Sequence, residues 1–147
     1  MPQSIFYQKK KDISDDFLRP LYQSVGWISY TDSLNDLNQL LQGSRLVISA
    51  WRDNQLIGLI RTVGDGMSIE YVQDLLVLPE FQQQGVGSQL LSMLFEETRH
   101  IRQFVLITDN GPDNQEIINW YKKQGLIPVS DANIIALWRK QEGVTNQ

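Results

Sequence analysis

The 147-residue chain contains no cysteine and only one histidine, His100. The first absence excludes disulfides, thiolate metal sites and a cysteine nucleophile. The second excludes a His-rich metal site and any catalytic triad that needs two imidazoles, so no metal is expected. No apolar run approaches the ~20 residues a membrane span requires, and the N-terminus lacks the basic-then-apolar pattern of an export signal. A soluble, cytoplasmic chain with no membrane partner is the expectation. Clustered cations are also scarce. The formal net charge is -4, and the one basic run, Lys9-Lys10-Lys11, is followed at once by Asp12, Asp15 and Asp16. Neutralising a phosphate backbone needs a basic stripe, so no nucleic-acid partner is expected.

What is present is enough for a packed core: 41% of residues are hydrophobic, and the length fits a single domain spanning 1–147. Ile13, Phe17, Leu18, Leu21 and Tyr22 recur near helical spacing and predict a helix over 13–24, with Pro20 as a kink or break. Ser33 as N-cap, the Leu34/Leu37/Leu40/Leu41 face and Gly43 as C-cap predict a second helix. Trp27 and Tyr30 then fall in the loop between them. Three β-prone runs follow, at 46–51, 55–63 and 69–78. They are joined by Arg52-Asp53-Asn54 and Gly64-Asp65-Gly66, links so short that the strands must be antiparallel neighbours. A helix from about Gly87, a strand at 104–108, a helix over 114–124 and strands at 126–129 and 134–138 complete the chain. The order is α-α-β-β-β-α-β-α-β-β, an α/β chain of mixed α+β character.

The segment with chemical content runs from Leu75 to Leu91. A buried strand ends at Pro79, passes through a polar turn containing Gly85 and Gly87, and enters an amphipathic helix. The first four N–H groups of a helix have no internal partner, and the macrodipole places partial positive charge there. Glycines without a Cβ let an anion approach the backbone. The turn therefore reads as a cradle for a diphosphate, made of main-chain amides, since it holds no Lys or Arg. A nucleoside-triphosphate loop would need Gly-Lys-Ser/Thr, which is absent. A dinucleotide loop would need Gly or Ala where Leu90 stands, within a parallel β-α-β unit.

The string Gln82-x-x-Gly85-x-Gly87 after the Val77-x-Pro79 strand end resembles the coenzyme A loop of the GNAT acetyltransferase superfamily. A second match, Asn114 followed by Tyr121-Lys-Lys-Gln-Gly125-Leu126, is similar to the family's Asn-(x)6-Tyr-x-x-x-Gly-Phe, with Leu126 where Phe is usual. The two cover about residues 69–128, and Tyr22 to Trp27 resembles a helix end of small bacterial members. The resemblance implies a central mixed, mostly antiparallel sheet flanked by helices, with an extra N-terminal strand near residues 3–8. It implies that the amides of Gln82, Gln83, Gln84, Gly85, Val86, Gly87 and Ser88 hold the pyrophosphate of acetyl-CoA. The backbone of Leu75, Leu76 and Val77 would receive the pantetheine arm, where the family's strand bulges and splays from its neighbour. Asn114 would contact that arm, or serve as a plain N-cap.

Tyr121 resembles the family's proposed general acid, which the departing thiolate requires as its charge develops. A general base is less defined. Some relatives use a Glu early in the strand before the loop, a place that falls near Tyr71 here. Glu70 and Asp74 flank it, and in a regular strand those two share one face. Trp27 and Tyr30 would line the acceptor side. The function implied is transfer of an acetyl group from acetyl-CoA to an amine, on a small molecule or a peptide, by direct attack. The alternatives are a non-catalytic acetyl-CoA sensor and an acyltransferase for a protein lysine or N-terminus. A homodimer is compatible with the composition and not indicated by it.

Overall fold

The computed structural model describes residues 4–26 and 28–140. The chain divides into two compact units, Met1–Ile107 and Thr108–Gln147. The first holds a five-stranded sheet in the order β1-β2-β3-β4-β5. Its strands are β1 (Phe6–Lys9), β2 (Leu46–Arg52), β3 (Gln55–Gly64), β4 (Ile69–Val77) and β5 (Gln103–Leu106). The first four pair antiparallel and β5 joins β4 in parallel. Four helices accompany the sheet: α1 (Asp15–Ser24), α2 (Ile28–Ser33), α3 (Asn38–Gln42) and α4 (Val86–Glu97). The mixed, mostly antiparallel sheet flanked by helices is the one the sequence suggests, N-terminal strand included.

The two hairpins follow from their turn residues. Asp53 (φ 52°) and Asn54 (φ 64°) both take positive φ, as a two-residue turn matched to strand twist requires. At the other, Gly64 is obligatory for space: a Cβ there would lie 2.2 Å from the Ile69 carbonyl oxygen. Helix α4 lies close against β3, since a Cβ on Gly58 would meet Val86 Cγ1 at 3.0 Å and Leu90 Cδ1 at 3.3 Å. Val86, Leu90, Leu91 and Leu94 are buried on that side. Helix α1 sends Tyr22 to Asp74, the cross-strand partner of Arg61. Gly58 and Arg61 are three positions apart on β3, so α1 and α4 cover opposite faces.

The expected second helix forms only in its C-terminal part, as α3, and residues 34–37 are not helical. Ser33 ends α2 rather than capping a longer helix. Arg19 explains the break: its guanidinium donates to the carbonyls of Thr31 (2.8 Å) and Leu34 (3.0 Å) while paired with Asp15. Asp15 Oδ1 accepts Leu37 N–H (2.7 Å), and Asp36 Oδ1 accepts Asn38 N–H (3.0 Å) at the start of α3. Side chains thus satisfy the backbone groups that a continuous helix would have used.

The second unit contains α5 (Gln115–Lys123), preceded by a 3₁₀ turn at Pro112–Asn114. Gly125, at φ 101°, ends α5, with its N–H on Lys122 O and Leu126 N–H on Tyr121 O. The strands expected at 126–129 and 134–138 do not form. Val129–Ala132 is instead a 3₁₀ turn closed by Asn133 at φ 60°. Pro128 lacks an N–H donor, and no strand is present among the described residues of this unit for either run to pair with.

Candidate active site

Strand β4 carries the centre of the site, and its two edges differ. Toward β3 it is paired from Glu70 to Val77 except at Gln73. Toward β5 the pairing runs only from Ile69↔Gln103 to Val72↔Leu106. From Gln73 to Val77 that edge has no strand partner among the described residues of its unit. Leu78 N–H bonds Ile57 O at 2.8 Å, so alternation turns the N–H and C=O of Val77 and Leu75 to the open edge. Leu76, grouped with them in the sequence reading, directs its backbone to β3 and buries its side chain. The Val77 carbonyl accepts Gln82 Nε2 at 3.0 Å, which leaves Leu75 and the Val77 N–H open to an extended ligand bearing amides.

The loop after β4 is shaped as an anion cradle. Pro79–Phe81 makes one 3₁₀ turn, Gln83 takes φ 63°, and Gly85 takes φ 85° as the cap of α4. No side chain caps the helix. Its first hydrogen bond runs from Gln89 N–H to Gly85 O at 3.0 Å, so the N–H groups of Val86, Gly87 and Ser88 have no carbonyl within the helix. A Cβ at Gly85 would meet nothing within 4 Å; glycine serves the backbone conformation there and keeps the approach open. Gln82, Gln83, Gln84 and Gly85 are exposed, and Gln84 Nε2 donates to Glu80 O at 3.0 Å. These donors fit a diphosphate.

Glu70 and Asp74 are both buried, at 0% and 1% exposure, yet they do not share a face. Arg61 pairs with Asp74 and Thr62 with Val72, so Gln73 is an extra residue in β4. The bulge reverses the alternation. Glu70 stays with Thr62, whose hydroxyl donates to Oε2, and Arg45 Nε donates to Oε1 at 2.7 Å. Asp74 turns to the α1 face, where its Oδ2 accepts both Arg61 Nε and the Tyr22 hydroxyl (2.7 Å). Its Oδ1 is buried with no hydrogen-bond partner. Gln73 Nε2 donates to the Tyr30 hydroxyl at 2.9 Å, and Arg61 Nη2 approaches that hydroxyl at 3.5 Å. The Tyr22 and Tyr30 rings meet edge to face at 5.6 Å.

The charges in this cluster follow its burial. Burial first, then the negative Asp74, pushes the Tyr22 phenol far above its usual range. Arg61 loses hydration, which disfavours its charge, but Asp74 outweighs that loss and raises its pKa. Burial also raises Tyr71, reinforced by Tyr30 and Asp74 and opposed by Arg61.

In the second unit Asn114 donates both amide hydrogens, to Thr108 Oγ1 (3.0 Å) and Asp109 O (2.6 Å). Its side chain does not cap α5. Tyr121 is half-buried, its ring packs at 5.1 Å against Trp120, and burial pushes its phenol up to about 12. Trp27 lies outside the described residues, and Tyr30 belongs to α2 rather than to a loop. Arg61 was not singled out from sequence, and Tyr22 was read there as part of a helix and its end, not as a site residue. An arginine inside the apolar run Leu56–Val63 was the available signal, because a buried cation requires a buried partner.

The comparisons with known proteins agree with this architecture. A profile of the acetyltransferase (GNAT) domain matches residues 43–126. An uncharacterised ycf52-like N-acetyltransferase of Prochlorococcus marinus is 28% identical over 82% of this chain and 67% of its own length. A GNAT-family acetyltransferase of Streptococcus pneumoniae is 30% identical, covers 95% of this chain and 99% of its own, and superimposes with a TM-score of 0.80. For the fold alone, AAC(6')-Iy, solved with the bisubstrate analogue CoA-S-monomethyl-acetylneamine, matches at 17% identity and a TM-score of 0.66, covering 94% and 99% of the two chains. The fold class is that of an acyl-transferring α/β enzyme. The chain belongs to the GNAT acetyltransferase family.

Proposed function

We propose that this protein transfers an acetyl group from acetyl-CoA to an amine by direct attack of the amine nitrogen. The observation that carries the reading is the pairing of an open β4 edge with an uncapped α4 N-terminus directly after it. The edge at Leu75 and Val77 suits the two amides of a pantetheine arm. The amides of Gln82 to Ser88 suit a diphosphate, which needs no cationic side chain when three or more backbone donors converge. When bound, the coenzyme supplies an acyl thioester; the protein supplies position and proton management.

Direct attack is favoured because the chain has no cysteine and no Gly-x-Ser-x-Gly elbow to form an acyl-enzyme. Tyr121 is assigned as the acid that protonates the leaving sulfur, with Asn114 contributing to the arm's contacts. Burial keeps its phenol protonated through the physiological range, so the hydroxyl is present as a donor beside the leaving sulfur in this assignment. One of the β4 carboxylates, Glu70 or Asp74, takes the proton from the amine. Trp27 and Tyr30 are assigned to the acceptor side. The acceptor is a small-molecule amine or the amine of a peptide.

The test is thiol release from acetyl-CoA over a panel of amines and peptides, with product masses measured. Turnover with a mass gain of one acetyl group on the acceptor is expected. Tight coenzyme binding with no turnover on any acceptor would contradict the enzymatic reading and favour a sensor. Tyr121→Phe should lower turnover tenfold or more with acetyl-CoA affinity nearly unchanged.

A further inference from the structure

We infer that Asp74, not Glu70, is the proton acceptor of the reaction, and that Arg61 and Tyr22 are positioning residues that hold its carboxylate with Oδ1 as the working atom. The inference rests on the acetyltransferase reading and selects within it.

Three observations separate the two carboxylates. Glu70 lies where β4 is still paired to β5, on the face of Thr62, and both its oxygens are occupied, by Arg45 and by Thr62. Asp74 lies just past the last β4–β5 pair, where the open edge begins. The bulge at Gln73 turns it to the face that also carries Tyr30. Its two donors converge on one oxygen, Oδ2, and leave Oδ1 buried and unpartnered. A buried carboxylate oxygen without a donor is costly and calls for an explanation, of which receiving a proton is one. Tyr30, Tyr71 and Gln73, around the Arg61–Asp74 pair, are half-buried.

Because Oδ1 is enclosed, the proton reaches it through one water. The acceptor nitrogen forms its bond to the acyl carbon and gives up a proton to that water, which passes one of its own to Oδ1. The electron pair of the broken carbon–sulfur bond leaves on sulfur, which takes a proton from Tyr121. Arg61 fixes the carboxylate at Oδ2. The Tyr22 hydroxyl fixes the same oxygen from α1. Tyr71 from β4 lies within electrostatic range of Asp74, and Arg61 also meets the Tyr30 hydroxyl from α2 and the Ser44 hydroxyl, the latter at 3.3 Å from Nη1.

The test measures acetyl-CoA affinity and the pH dependence of kcat/KM for the same proteins. Asp74→Asn should bind acetyl-CoA as the wild type does, while turnover falls a hundredfold or more. Glu70→Gln should keep turnover within about fivefold once its folding is verified by circular dichroism. Tyr22→Phe leaves the Arg61–Asp74 pair in place, so it serves if Asp74→Asn does not fold. It removes one hydrogen bond to the charged carboxylate, so the acid limb of its profile should move to higher pH. A purely structural Tyr22 would leave that limb unmoved. An unmoved limb in Tyr22→Phe, or full turnover in folded Asp74→Asn, overturns the inference while the coenzyme-binding reading stands. Failure of the wild type to bind acetyl-CoA overturns the reading itself.

Discussion

At the scale of single residues, the protein uses carboxylates in two distinct ways. Asp65 is exposed and shapes a turn: it accepts the N–H groups of Met67 (2.9 Å), Ser68 (2.7 Å) and Ile69 (3.1 Å), and the Ser68 hydroxyl (2.6 Å). The Ser68 side-chain and backbone hydrogen bonds, with those from Met67 and Ile69, hold its carboxyl well below the usual carboxylate range. A lowered folded-state pKa contributes stability that is complete above the ordinary value of about 4 and is lost as pH falls through the lowered one. Asp65→Ala should therefore lower Tm at neutral pH, and the gap to wild type should close in strong acid; thermal melts across pH measure it. Asp74 is the opposite case, a buried charge held by Arg61 and Tyr22. Removing Arg61 leaves an uncompensated buried charge, so Arg61→Met should destabilise by about 3–5 kcal/mol, measured by denaturant unfolding. Tyr121 behaves differently again. Its phenol, raised to about 12, should impose no loss of rate on the alkaline side below about pH 10, a point that kcat–pH profiles check directly.

At the scale of elements, the strand, loop and helix β4-turn-α4 can be examined apart from any acceptor. Gly85 has φ 85°, and a Cβ there would meet nothing within 4 Å. Gly85→Ala should cost only about 1–2 kcal/mol in stability, the strain of a left-handed alanine. A loss of acetyl-CoA affinity beyond that cost reports on the ligand's closeness to the backbone. Hydrogen exchange provides a second readout: the open-edge amides of Leu75 and Val77 should slow when acetyl-CoA is added, while Leu76, already bonded to β3, should change little. This motif was legible in the sequence because glycine positions and a strand-to-helix change of period are local signals. The break between α2 and α3 was not, since it depends on Arg19 reaching carbonyls twelve and more positions away. A bulge in β4 was implied by the family resemblance, but its place at Gln73 was not legible. It reverses the faces of Glu70 and Asp74 through cross-strand register, which a single strand does not encode.

At the scale of the molecule, the unit through Ile107 holds the sheet and the β4-turn-α4 segment, while Asn114 and Tyr121 belong to the unit from Thr108. Sequence motifs identified residues in both units. The last two strands expected from sequence are the main departure: Ile134, Ile135, Leu137 and Trp138 have strand-like composition but are exposed coil. Strand propensity acts only where a partner edge is available. Membership in the acetyltransferase family spans both units, since the profile match ends at Leu126. The most direct measurement is isothermal calorimetry of the wild-type protein with acetyl-CoA and with S-acetylpantetheine, which keeps the thioester and both amides but lacks the diphosphate. Saturable binding of acetyl-CoA is expected, weakened a hundredfold or more when the diphosphate is removed. Equal affinity for the two, or no heat with either, would contradict the cradle at the start of α4.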